Sequence, residues 1–160
     1  MNHKNIVAKE AIVNEIHGLA NENDAVIIFE YHGLSVAKIT ELRRLLRAQG
    51  SHMAIYKNSL VERAVAKLGK EELNEYLTGP NALLFSKDVS SGAKVLTRFA
   101  RFNDEVEIKG GLFEGRVVDA NQVRSISRLP DRNGMISMFL SVLNAPIQKF
   151  AATVKAVAEK

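Results

Sequence analysis

The chain has 160 residues, 46% hydrophobic and 25% charged, with no cysteine and a formal net charge of +4. That length and composition fit one folded domain with room for an appendage, large enough to bury a core without disulfides or a structural metal. The lack of cysteine excludes a disulfide framework, a thiolate metal site and a cysteine nucleophile. The longest apolar run, residues 25–29, is far too short to span a bilayer.

Residues 3–20 place Ile6, Val13, Ile16 and Ala20 at mostly helical spacings and predict an amphipathic helix. Charge and apolar side chains mix throughout this stretch, unlike a secretory signal, so a cytoplasmic protein is expected. Residues 25–31 (AVIIFEY) are rich in β-branched and aromatic side chains and predict a buried strand. His32-Gly33 breaks it. Ser35 can cap a second helix that runs to about Gln49, with Gly50 ending it. Residues 52–56 form a second strand. Ser59 and Glu62 have the spacing of a capping box at the start of a third helix, which Gly69 stops. Residues 70–77 suggest another short helix. Gly79-Pro80 is a turn, and residues 81–86 (NALLFS) are a third strand. Residues 91–102 read as a helix. Residues 106–110 and 112–115 read as a strand that breaks or bends at its glycines, and residues 119–127 as a short helix. Pro130 and Gly134 interrupt the chain, and residues 135–160 form one long apolar-periodic segment.

Strands and helices alternate, but the third strand follows a short turn and the sheet has about four members. The pattern favours an α+β, ferredoxin-like sandwich with helices over one sheet face and a C-terminal extended helix. A doubly wound parallel sheet is the alternative. The domain is expected over residues 1–130 and the helix over residues 131–160.

No catalytic chemistry is framed. Gly110, Gly111 and Gly115 do not match a dinucleotide fingerprint and fit a hairpin or bulge. His3, His17, His32 and His52 lack metal-ligand spacing. Glu71-Glu72 suit a helix start rather than a catalytic dyad, and no nucleophile elbow frames a serine. No enzyme activity, cofactor, metal or small-molecule substrate is therefore expected.

The charge is concentrated. Residues 35–63 hold Lys38, Arg43, Arg44, Arg47, Lys57 and Arg63 against Glu41 and Glu62. That net of +4 equals the charge of the whole chain, so the remainder is neutral. A neutral body with one basic patch is the footprint of a polyanion binder. On a helical wheel Val36, Ile39, Leu42, Leu45 and Leu46 cover one half, and Arg43, Arg44 and Arg47 cluster within about 100° at the edge of the other. Guanidinium forks suit phosphate. Lys57, Asn58 and Ser59 stand at the third helix's start, where free amides and partial positive charge favour a phosphate. There the capping box anchors the helix, while Lys57 and Asn58 stay available, and Arg63 lies about one turn further on. Only Tyr31 and Tyr56 lie near the patch, so it offers no stacking platform. This points to a folded RNA read by shape and backbone.

These residues carry a resemblance. YHGLSVAKITELRRLLRAQG followed by YKNSLVERAVA resembles the bacterial large-subunit ribosomal protein ten family. Gly33-Leu34-Ser35-Val36, Thr40-Glu41-Leu42-Arg43 and Lys57-Asn58-Ser59-Leu60 match its motifs, as do Leu77-Thr78-Gly79-Pro80 and Ile108-Lys109-Gly110-Gly111. Serine at Ser59 replaces the commoner threonine, and His32 stands where a basic residue is frequent. Asn133-Gly134 replaces the usual charged pair near the start of the last helix. The resemblance implies a ferredoxin-like domain that binds large-subunit rRNA at the stalk base, beside a neighbouring stalk-base ribosomal protein. It also implies a C-terminal helix that carries dimers of the acidic stalk protein, which recruit translational GTPases. A free regulator acting on its own mRNA through the same patch is the alternative.

The tail supports the docking expectation. Residues 139–149 (FLSVLNAPIQK) and 150–160 (FAATVKAVAEK) are two elevens, each opening with phenylalanine and closing with lysine. Eleven residues make about three helical turns, so equivalent positions return to one face. Phe139, Leu143, Ile147, Phe150, Val154 and Val157 then form an apolar stripe suited to two stalk-protein dimers bound helix-in-groove. Pro146 is expected to kink the helix or mark a joint between the elevens.

Overall fold

β1 (Ala25–Glu30) is apolar at five consecutive positions, all buried. In the computed structural model, which describes residues 3–130 and 132–158, the cause is plain. Ala25, Ile27 and Phe29 face one core cluster, and Val26 and Ile28 face another on the opposite side of the sheet. A strand covered on both faces has no polar side to alternate with.

The sheet has five strands in the order β2-β3-β1-β4-β5, with β2 His52–Ala54, β3 Asn81–Ser86, β4 Glu107–Phe113 and β5 Arg116–Asp119. Every pairing is antiparallel, which removes the doubly wound parallel alternative. The first four strands have the ferredoxin-like order, and β5 extends the sheet beyond β4.

The helices cover both faces, not one as expected. α2 (Val36–Ala48), α4 (Val89–Ala100) and α5 (Ala120–Ile126) close the first cluster through Leu42, Leu46, Leu96, Phe99 and Val123. α1 (His3–Glu22), α3 (Asn58–Lys67) and a 3₁₀ helix, Glu71–Tyr76, close the second through Val13, Ile16, Leu60, Val65 and Leu73.

β4 is one strand with a bulge. Ile28 pairs with Gly110 and Phe29 with Ile108, so Lys109 has no partner on β1. The flanking glycines permit close backbone approach: a Cβ on Gly111 would lie 2.3 Å from the Val26 carbonyl oxygen, and one on Gly110 would lie 2.7 Å from that of Val118. Gly115 has φ +77° in the β4–β5 hairpin. Bulge and hairpin are both present, as the glycines suggested.

The chain divides into two compact units, residues 1–128 and 129–160. The second unit is dominated by α6 (Arg132–Ala158), a single helix with Pro146 inside it. Asn133-Gly134 therefore lies in its first turn. A Cβ on Gly134 would lie 2.8 Å from the Pro130 side chain, so glycine lets Pro130 approach there.

Candidate functional site

Ser35 caps α2 as expected: its backbone is extended and its hydroxyl accepts from the Lys38 amide at 3.4 Å. α2 rests on the sheet along Leu42 and Leu46, with Ile39 partly buried beside them. This buried face is narrower than the wheel suggested. Val36 is 80% exposed, and Leu45 borders an open groove toward Val95 and Phe102 of the α4 region.

Arg44 and Arg47 are exposed and Arg43 is half-buried. No ion pair engages any of the three among the described residues. Lys38 is different: its ammonium lies 3.0 Å from the Glu105 carboxylate. That hydrogen bond holds the Glu105 carboxyl below its ordinary range, and the ion pair removes one cation from the patch.

The start of α3 departs from the expectation. Lys57 is the N-cap residue, with extended backbone and no side-chain cap bond. The helix begins at Asn58, which puts Ser59 inside the first turn rather than at its cap, so the Ser59–Glu62 capping box does not form. The box appears instead on α5, where Asp119 accepts from the Gln122 amide at 2.8 Å and Gln122 accepts from the Asp119 amide at 3.1 Å. The first amides of α3 are thus left without a side-chain cap, a condition that favours an anion.

Asn58 is not free either. Its Nδ2 donates to the Gly79 carbonyl at 2.8 Å. The same turn is gripped from β4, where the bulge aims the Lys109 ammonium at the Thr78 carbonyl and the Glu30 carboxylate. Sequence reading met Lys109 only as part of a family motif and gave it no role; the paired glycines after it were the available signal. Lys57 is exposed and has no side-chain partner among the described residues. Arg63 lines a groove between α1 and α3 with Lys9 and Lys67.

The two halves of the expected patch do not share one face. Arg43, Arg44 and Arg47 ride on α2, which covers one side of the sheet, and Lys57 to Arg63 ride on α3, which covers the other. The edge strand β2 runs between them in the chain. The cationic residues therefore lie on opposite faces of the sheet.

On α6, Phe139, Leu143, Ile147, Phe150, Val154 and Val157 are all 53–73% exposed. Ile136, Met138, Leu140 and Val142 are exposed too, so the apolar surface of its first half is wider than one stripe. Lys160, which closes the second eleven, lies outside the described residues. Among the described residues no helix is long and apolar enough to cross a membrane, and no group of three histidines or carboxylates could hold a metal.

The family model "Ribosomal protein L10" matches residues 4–101, and "Ribosomal protein uL10 C-terminal region" matches residues 129–160. Proteins called "Large ribosomal subunit protein uL10" from Bacillus cereus (strain B4264) and Bacillus anthracis (strain A0248) are each 46% identical over 158 residues. The match covers 98% of this chain and 95% of each relative. With two family models matching residues 4–101 and 129–160 and 46% identity to uL10 proteins over nearly its whole length, the chain belongs to the uL10 family of large-subunit ribosomal proteins.

Proposed function

We propose that the protein anchors to large-subunit rRNA at the stalk base through residues 1–130 and tethers two dimers of the acidic stalk protein through residues 131–160. The observation that carries this reading is the pairing of Arg43, Arg44 and Arg47, none of them ion-paired among the described residues, with an uncapped α3 start that holds Lys57. Guanidiniums and free helix amides are phosphate ligands. Set on opposite faces of the sheet, they fit two segments of a folded RNA better than one straight strand. Asn58 and Ser59 take part through backbone position, since the Asn58 amide is committed to Gly79. Arg63 reaches RNA on the α1 side.

The exposed stripe on α6 supplies the other end of an adaptor. Apolar side chains at helical spacing, repeated once, match helix-in-groove docking by two equivalent partners. A neighbouring stalk-base ribosomal protein completes the RNA site. In a bacterial cell the assembly lies in the cytoplasm.

Sedimentation of the full chain with large subunits lacking their own copy tests the anchor. Arg43→Ala with Arg47→Ala is expected to weaken binding by about 1 kcal/mol or more and to flatten the salt dependence, because fewer counterions are released. Unchanged binding and salt slope in that variant would remove α2 from the interface. Recovery of the chain only in a free pool with its own message would favour the regulator.

A further inference from the structure

α4 ends in an arrangement that the proposed rRNA surface does not use. An open cleft of about 300 Å³ is lined by Lys94, Thr97, Arg98, Arg101 and Phe102 from α4 and its end, and by Ser127 and Arg128 just after α5. No carboxylate lines it among the described residues. Arg98, Arg101 and Arg128 are exposed and have no ion pair among the described residues. The Thr97 hydroxyl is buried without a hydrogen-bond partner. Phe102 is 80% exposed.

Cations at helix C-termini suit the macrodipole, and that accounts for Arg98 on α4 and Arg124 on α5. It does not account for an exposed phenyl ring that lines the same cleft as three arginines. Ring and forks together are the parts of a nucleotide site. An aromatic face stacks a base whatever its identity, and arginines take the phosphate. The cleft is at the small end of ligand pockets, the size of one nucleotide unit. It shares Thr97, Arg101 and Arg128 with a second open cleft that holds Arg124 but also Asp104 and Glu107, so the phosphate side of the site is confined to Arg98, Arg101 and Arg128.

We propose that the α4–α5 cleft binds one unstacked nucleotide of an RNA strand, with the base on Phe102 and its phosphates on Arg98, Arg101 and Arg128. This site is separate from the α2–α3 surface and stands or falls independently of it. An acidic peptide would satisfy the arginines but leave the ring in water.

The test is fluorescence anisotropy of a labelled oligouridylate with the full-length chain, repeated with uridine monophosphate as competitor. Phe102→Ala should weaken oligouridylate binding about fivefold or more, and Phe102→Trp should restore it. Arg98→Ala with Arg101→Ala should weaken it about tenfold and lower the salt slope. The Phe102 effect should persist in an Arg43→Ala, Arg47→Ala background, which separates this site from the rRNA surface. Competition by the mononucleotide at equal concentration would assign the same site to free nucleotides instead of an RNA strand. Phe102→Ala and the arginine pair both binding like the unsubstituted chain would overturn the proposal. So would displacement of the RNA by oligoglutamate with equal strength in the Phe102→Ala chain.

Discussion

Asn58 and Gly79, twenty-one residues apart, are joined by a hydrogen bond of 2.8 Å from the side-chain amide to the backbone carbonyl. The bond fixes the start of α3 to the turn that leads into β3. The same turn accepts from Lys109 at Thr78 and from the Asn81 side chain at Thr78 and Tyr76. Three elements therefore meet at one exposed turn, and Lys57 is positioned by its neighbour's grip. Asn58→Ala should lower stability by about 1 kcal/mol, read from urea unfolding. Asn58→Asp should cost at least as much, because it faces a carbonyl with an acceptor. RNA affinity should fall in both variants beyond the loss of folded protein. If stability falls while RNA affinity per folded molecule is unchanged, Asn58 does not position Lys57.

The glycines of β4 and of the hairpin after it separate close approach from backbone conformation. Gly111 has no room for a Cβ, because the Val26 carbonyl oxygen would lie 2.3 Å away across the central pairing of the sheet. Gly115 has open space around it but a φ of +77°. Gly111→Ala should therefore destabilise by about 3 kcal/mol or more through overpacking of the β1–β4 ladder. Gly115→Ala should cost only about 1–2 kcal/mol, the strain of a left-handed residue. Equal costs from the two substitutions in thermal unfolding would contradict this division.

These glycines also show how far the sequence could be read. Their clustering announced a bulge or hairpin, but not which residue would be left unpaired. That residue, Lys109, is decided by the register against β1, a tertiary property. The unbroken apolar runs of β1 and β3 were legible as buried strands. They also carried the fact that both faces are covered, which a reading of helices on one side missed. β5 escaped because Arg116–Asp119 is short and half-exposed at the sheet edge, with no strong alternation. On the candidate site, the Ser35 cap was legible from local chemistry. The Ser59–Glu62 box was not realised because α3 starts at Asn58, whose side chain bonds to a turn distant in sequence. The helical wheel grouped Arg43, Arg44 and Arg47 on α2, where Arg44 and Arg47 are exposed and Arg43 is half-buried, yet their separation from α3 by the sheet required the topology.

Tyr56 gives the stability a pH signature. Its hydroxyl donates to the Glu15 carboxylate of α1 at 3.0 Å. Partial burial first, and then that carboxylate, push the phenol up from 10.0 to about 12. A raised folded value means that the contribution is complete below the unfolded value and is lost as pH rises through the folded one. The unfolding free energy should therefore decline between about pH 10 and 12 more steeply than in Tyr56→Phe. At neutral pH the substitution should cost about 1 kcal/mol or less, since the bond is exposed. Parallel pH profiles for the two chains across that window would show that Tyr56 is not the titrating group.

The tail makes the sharpest prediction about assembly. Each eleven presents a phenylalanine followed four residues on by a branched aliphatic: Phe139 with Leu143, and Phe150 with Val154. All four are exposed on one helix that continues through Pro146. Proline removes one backbone donor there, and the residues on either side stay helical. If each eleven is a separate dock, Phe150→Glu should lose one stalk dimer and leave the other, because a carboxylate cannot enter an apolar groove unpaired. Phe139→Glu should do the same at the first eleven, and the double variant should lose both while keeping RNA affinity. Native mass spectrometry of the chain with saturating stalk protein reads this directly as two dimers, one, one and none. Loss of both dimers from either single substitution would mean one cooperative site spanning the helix. A count of three in the unsubstituted chain would require a dock outside the two elevens, with the exposed Ile136–Val142 surface the first place to look.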